Sequence, residues 1–176
     1  MLVPTNGLAI IGRVEKTGVI KNLVLDVHQD QIYRSTGSTG FIVSNYGTIE
    51  NVYINFIDET EENLPNQYIS PLVTTNYVGG TIKNFVVNVV NETSFYSYSS
   101  LLVRTNYGTI ENGYIYGSDI VIDPLYSSES SNLGLIQVYG GPRSQLKNVY
   151  VLPSMVHSKE SNLISGLVAY ETYGLV

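Results

Sequence analysis

The chain has no cysteine and no tryptophan. Without cysteine it can form neither a disulfide framework nor a thiolate-ligated metal centre. Charge is also scarce: Asp, Glu, Lys and Arg make up 14% of the residues, and the net charge is −6. The few Lys and Arg are scattered, with no run of them. Nucleic acid and anionic lipid surfaces need clustered cations, so neither is expected as a partner. No apolar run approaches the ~18 residues of a spanning helix, so no membrane insertion is expected. Met1-Leu-Val-Pro-Thr5 lacks the basic segment and apolar stretch of a signal peptide. If the protein is secreted, its signal is expected upstream. No segment keeps a 3.6-residue apolar period long enough for a helix.

What is plentiful is tyrosine (15 residues) and glycine (16), with many Asn, Ser and Thr. Low charge with high aromatic content argues against disorder. Tyr, Thr, Val and Ile suit a pleated surface. A length of 176 residues is that of one domain.

The dominant feature is self-similarity. Gly18-Val-Ile-Lys-Asn22, Gly47-Thr-Ile-Glu-Asn51, Gly80-Thr-Ile-Lys-Asn84 and Gly108-Thr-Ile-Glu-Asn112 are near copies, and Ser144-Gln-Leu-Lys-Asn148 is a looser fifth. The Asn-to-Asn steps are 29, 33, 28 and 36 residues. Before each turn stands a short apolar segment: Gly40 to Tyr46, Ser70 to Tyr77, Ser100 to Tyr107, and the looser Gly134 to Tyr139 and Gly166 to Tyr170. After each Asn comes a β-type run such as Val52-Tyr-Ile-Asn-Phe56.

One unit therefore reads strand, turn, strand, variable loop. It cannot bury its apolar face alone, so units are expected to stack at the ~4.8 Å spacing of parallel strands. The fold class expected is all-β: a single-stranded, right-handed parallel β-helix of about five to six rungs, with handedness taken from crossover chirality. Residues 1–176 form a single β-solenoid domain in this reading, an excerpt of a longer array.

Stacking predicts three columns. Asn22, Asn51, Asn84, Asn112 and Asn148 form one amide ladder, and Asn45, Asn76 and Asn106 another. An amide both donates and accepts, so stacked Asn side chains satisfy one another. Tyr46, Tyr77 and Tyr107 form an aromatic column, with Tyr139 and Tyr173 as candidates to extend it. Alternation places Val52, Ile54, Phe56, Phe85, Val87 and Val89 inward. It places Tyr53, Tyr114 and Tyr150 outward, where exposed rings can anchor a sugar or a protein. Val86 interrupts that outward set.

The pattern Gly-Leu-Val-x-x-Asn-x-Gly-Thr-Ile-x-Asn resembles the GLUG motif, carried here by Val43 to Ile54, Val73 to Val87 and Val103 to Ile115. Looser copies at Gly7 to Leu25, Gly134 to Val151 and Gly166 to Val176 extend the resemblance over nearly the whole chain. That repeat occurs in bacterial cell-surface and secreted proteins, adhesin-like proteins among them, and in the non-catalytic N-terminal part of IgA-specific metallopeptidases. The resemblance implies an extracellular, surface-associated structural repeat and brings no catalytic residue. The His-Glu-x-x-His zinc motif of the peptidase relatives does not occur: His28 and His157 are the two histidines, and Glu follows neither.

Many polysaccharide lyases and hydrolases are β-helices, so acidic groups are weighed as catalytic pairs. The candidates are Asp58, Glu59, Glu61 and Glu62 in one polar loop, and Asp119 with Asp123, with Arg104 as a cation. The loop reads better as a solvated acidic segment. Asp58 to Glu62 also lacks the regular spacing of a calcium loop. Thr48, Thr81 and Thr109 make one column, broken by Val19 and Gln145, which is too little for an ice-matching lattice. No catalytic residue, cofactor or metal is expected.

The variable loops, Asp58 to Gln67, Asn91 to Ser99, Asp123 to Asn132 and Ser154 to Asn162, are where binding is expected, together with Tyr53, Tyr114, Tyr150, Asp58, Glu59, Glu61 and Glu62. The expected function is a non-catalytic structural or adhesive module of an extracellular or cell-surface protein. Its partner would be a host or bacterial surface protein or a glycan. The alternatives are a carbohydrate-active β-helix and a subunit of a self-assembling filament with end-to-end self-association.

Overall fold

The computed structural model describes residues 9–28, 40–57, 70–95, 100–122, 134–152, 156–158 and 169–172. Those residues contain strands and turns and no helix, hence no helix long and apolar enough to cross a membrane. The first sheet contains β1 (Ile11–Val14), β3 (Ile42–Asn45), β5 (Val73–Asn76), β8 (Val103–Asn106), β11 (Gln137–Gly140) and β14 (Ala169–Thr172), in that spatial order. The second runs β2 (Val19–His28), β4 (Thr48–Ile57), β6 (Thr81–Val89), β9 (Thr109–Gly117) and β12 (Gln145–Val151). A third, smaller sheet joins β7 (Thr93–Phe95), β10 (Ile120–Ile122) and β13 (Val156–Ser158).

Every pairing is parallel and joins a strand to its counterpart in the next unit. The protein is therefore an all-β stack of parallel sheets, consistent with a β-solenoid. The third sheet is a correction. Asn91 to Ser99 and Ser154 to Asn162 were expected to be variable loops, yet each contributes a short strand. Each contributes only three strand residues, too few for alternation to be visible in the sequence.

The five repeated Asn explain how the second sheet bends. Asn22, Asn51, Asn84, Asn112 and Asn148 all have positive φ, between 51° and 58°. Among L-residues Asn tolerates this left-handed region best, because its short amide bonds locally. A left-handed residue inside a strand shifts the inside–outside phase. Ile49 and Val52 are therefore both buried although three residues apart, and Ile54 and Phe56 follow at the usual period of two. The same step takes Ile82 to Phe85. The interior is thus a set of stacked columns, one of them Ile49, Ile82, Ile110 and Leu146.

The turns between the first two sheets are stacked as well. Tyr77 N donates to Asn45 O (2.8 Å), Tyr107 N to Asn76 O (2.7 Å), and Gly141 N to Asn106 O (2.8 Å). Thr81 N and Thr109 N donate to the carbonyls of Gly47 and Gly80. Corner backbone that would be orphaned in one unit finds its partners in the next.

The residue before each ladder Asn forms a further column: Lys21, Glu50, Lys83, Glu111 and Lys147, in strict register. Its signs alternate, and Lys83 Nζ lies 3.2 Å from Glu50 Oε2. A half-exposed pair contributes at most about 1 kcal/mol. Its larger effect is on pairing: a unit that skipped its neighbour would set Glu50 beside Glu111, and like charges directly opposite destabilise.

Candidate functional site

Polar groups occur in rows along the stack, and the question is which rows are used up by the fold. The interior ladder is, up to Gln137, whose buried Nε2 at the ladder's end has no hydrogen-bond partner among the described residues. Asn45 Nδ2 donates to Asn76 Oδ1, Asn76 Nδ2 to Asn106 Oδ1, and Asn106 Nδ2 to Gln137 Oε1, each at 2.8 Å and fully buried. Asn45 Oδ1 and Asn106 Oδ1 also accept from the turn amides of Gly47 and Gly108. Gln137 was not expected here. Its backbone is in register with Val103, and Gly140 occupies the Asn position, so the longer side chain of Gln137 reaches across to continue the ladder.

The tyrosine column is also consumed. Tyr46 and Tyr77 stack face to face, centroids 4.4 Å apart and 5° from parallel. The Arg13 guanidinium sits 4.4 Å from the Tyr46 centroid and pairs with Glu15 at 2.9 Å. Tyr107 is tilted, 31° from Tyr77 at 6.3 Å. Tyr139 stands in register with Thr105, and Gly141 follows at the tyrosine position. A Cβ on Gly141 would overlap the Tyr107 ring, so the missing side chain is what lets Tyr107 lean over. Tyr173 lies outside the described residues.

The outer face of the second sheet keeps unspent groups. Its first row is the exposed Asn ladder, where Asn51 Nδ2 donates to Asn22 Oδ1 (3.0 Å), Asn84 to Asn51 (3.2 Å), Asn112 to Asn84 (3.4 Å) and Asn148 to Asn112 (3.2 Å). The second row, two residues along, is Val24, Tyr53, Val86, Tyr114 and Tyr150. The third is Asp26, Asn55, Asn88 and Tyr116, in which Asn55 Nδ2 donates to Asp26 Oδ1 (2.7 Å) and Asn88 Nδ2 to Asn55 Oδ1 (3.1 Å).

Of the three outward tyrosines, Tyr114 and Tyr150 are open to solvent, 40% and 63% exposed. Tyr53 is half-buried because its hydroxyl reaches past Val86 to the Tyr116 hydroxyl, 3.0 Å away. That hydrogen bond, together with burial, holds the Tyr53 phenol above its usual ionisation range. Tyr116 in turn stacks on Tyr114, centroids 5.7 Å apart. Sequence pattern flagged neither Tyr116 nor the third row, although both stand four residues after a ladder Asn.

Asn84, Val86, Asn112, Tyr114, Asn148 and Tyr150 enclose a shallow depression of about 490 Å³ on this face. A second concavity, about 520 Å³, lies at Tyr107, Tyr139 and Pro142. Asp58, Glu59, Glu61, Glu62 and Asp123 lie outside the described residues. Among the described residues no three His, Cys, Asp or Glu side chains are grouped as a metal site would need. Glu50 and Glu111 stand in one column with Lys83 between them, and Asp26, on the same outer face, accepts from Asn55.

These features define an all-β protein of parallel sheets with an amide- and tyrosine-rich outer face. Compared with known protein families, with curated proteins and with solved structures, the chain matches none.

Proposed function

We propose that the chain is a non-catalytic structural and adhesive module of an extracellular or cell-surface protein, built like the GLUG repeats its motif resembles. In this reading residues 1–176 form one right-handed parallel β-helix of about five to six rungs, the handedness following crossover chirality. It contributes length and displays side chains and loops to a host or bacterial surface protein or glycan.

One observation carries the reading: the interior Asn ladder, the tyrosine stack and the charge column are each occupied by neighbours within the stack, so the repeated residues have structural work. The Glu50–Glu111 column supports it. Glu50 and Glu111 alternate with lysines in a column instead of facing each other across a groove, which a glycosidase pair needs.

The test is to incubate the purified chain with neutral and acidic polysaccharides and assay for new reducing ends and unsaturated uronates. In parallel, beads coated with the chain are tested for capture of bacterial and host cell surfaces. Capture without product is the expected result. Any turnover that scales with protein concentration contradicts the non-catalytic reading.

A further inference from the structure

We propose that the strip formed by Asn84, Asn112 and Asn148 beside Val86, Tyr114 and Tyr150 binds a neutral oligosaccharide, with hexopyranose rings lying on the two tyrosines and their hydroxyl edges against the amides. The proposal rests on the adhesive reading above and names the ligand class of its outer face.

Hydrogen-bond capacity is the first argument. An Asn amide has two N–H donors and two carbonyl lone pairs. In the exposed ladder each link consumes one donor and one acceptor. The second N–H and second lone pair of each amide remain, and these side chains face solvent. The row therefore presents donor and acceptor together at every strand, the pairing that vicinal hydroxyls require. A row of single-sign charges would offer one or the other.

The second argument is the apolar row beside it. Tyr150 pairs directly with Tyr114 across β12 and β9, so two exposed rings stand one strand apart, on the scale of one sugar ring. A pyranose has C–H groups on its faces and hydroxyls around its edge. Aromatic faces take the former, amides the latter. The depression between the two rows gives the ring a seat.

Charge and backbone argue against other occupants. The six side chains of the strip include no carboxylate, ammonium or guanidinium. The adjacent charges, Lys83, Glu111 and Lys147, alternate in sign and give no single-sign field for an anionic polymer. β9 is hydrogen-bonded on both sides, to β6 and β12, so at Asn112 and Tyr114 an extended peptide finds no free strand edge and only side chains are on offer.

The experiment titrates the full chain with cellohexaose, maltohexaose and chitohexaose, and with hexagalacturonate as the anionic comparison, by calorimetry and by NMR shifts of side-chain amides. At least one neutral hexasaccharide is expected to bind with a Kd of about 1 mM or tighter, shifting the Asn112 and Asn148 amides. Tyr114→Ala and Tyr150→Ala are each expected to weaken it about tenfold or more, while Tyr114→Phe and Tyr150→Phe stay within about threefold. Asn112→Gly keeps the left-handed backbone and removes the amide, so it is expected to weaken binding with the circular dichroism unchanged. No binding by any neutral probe, binding that survives both alanine changes, or tighter binding of hexagalacturonate overturns the proposal. The same samples are assayed for reducing ends. Turnover with tyrosine-dependent binding overturns the non-catalytic reading and supports the platform.

Discussion

Replacing Asn76 with alanine is expected to cost about 4 kcal/mol, a large share of the ~5–15 kcal/mol that holds a domain folded. Asn76 is fully buried in the middle of the interior ladder. Its Oδ1 accepts from Asn45, and its Nδ2 donates to Asn106 with longer approaches to the carbonyls of Gly80 (3.4 Å) and Thr109 (3.5 Å). Truncation leaves Asn45 Nδ2 buried and unpaired at ~1–3 kcal/mol, takes from Asn106 Oδ1 one of its two donors so that only the Gly108 amide remains, and opens a void that a methyl does not fill. The exposed ladder supplies the contrast. Asn84→Gly removes two similar amide links but lets water replace them, and glycine adopts the left-handed backbone freely, so about 1 kcal/mol is expected. Urea unfolding of the two variants measures the difference. Equal losses would mean that the two ladders are not divided into interior and exterior as described.

The second large effect concerns one inward column, Leu23, Val52, Phe85, Gly113 and Val149. Phe85 is buried, and a Cβ on Gly113 would overlap its ring. A large side chain is thus accommodated by an absent one in the next strand. Gly113→Val is expected to destabilise by about 3 kcal/mol through overpacking, and Phe85→Val by about 2 kcal/mol through lost burial. Combined, Phe85→Val and Gly113→Val restore the ordinary Val-on-Val packing of the column. The double variant is expected to be more stable than the sum of the single losses by at least ~1.5 kcal/mol. Additive losses in a double-mutant cycle would show that Phe85 and Gly113 do not share the space.

The legible parts of this structure were those encoded by single residues repeating at one position. The two Asn ladders, the inward Val52, Ile54 and Phe56, and the Tyr46–Tyr77–Tyr107 column could all be aligned by eye, because a parallel stack turns sequence recurrence into vertical contact. The alternating Lys21–Glu50–Lys83–Glu111–Lys147 column was not among the expectations, although each member directly precedes a ladder Asn. Other features depend on a side chain reaching beyond its own register. Gln137 crosses from the Val103 column into the Asn ladder, and Tyr53 crosses two strands to Tyr116. Neither follows from position, because a long side chain has several neighbours within reach. The third sheet was hidden for a different reason: its strands begin nine, eight and eight residues after a ladder Asn but are only three residues long, and hydrogen bonding to the neighbouring unit, not local pattern, makes them strands.

On the outer face, sequence alternation placed Tyr114 and Tyr150 correctly outward. What it could not supply was their shared depression with the Asn row, which arises because the left-handed Asn bends the strand just before them. The acidic groups of Asp58 to Glu62 lie outside the described residues, so the outer face of the second sheet carries the binding argument.

The units stack in parallel and in chain order, with the side chain at each recurring position facing its counterpart in the next unit. Methyl-labelled isoleucine with amide-resolved NOE spectroscopy tests it directly. Contacts are predicted from Ile49 to Ile82 and from Ile82 to Ile110, and between the side-chain amides of Asn45 and Asn76 and of Asn76 and Asn106. Strong contacts between Ile49 and Ile110, antiparallel cross-strand patterns, or silence between the Asn amides would contradict it.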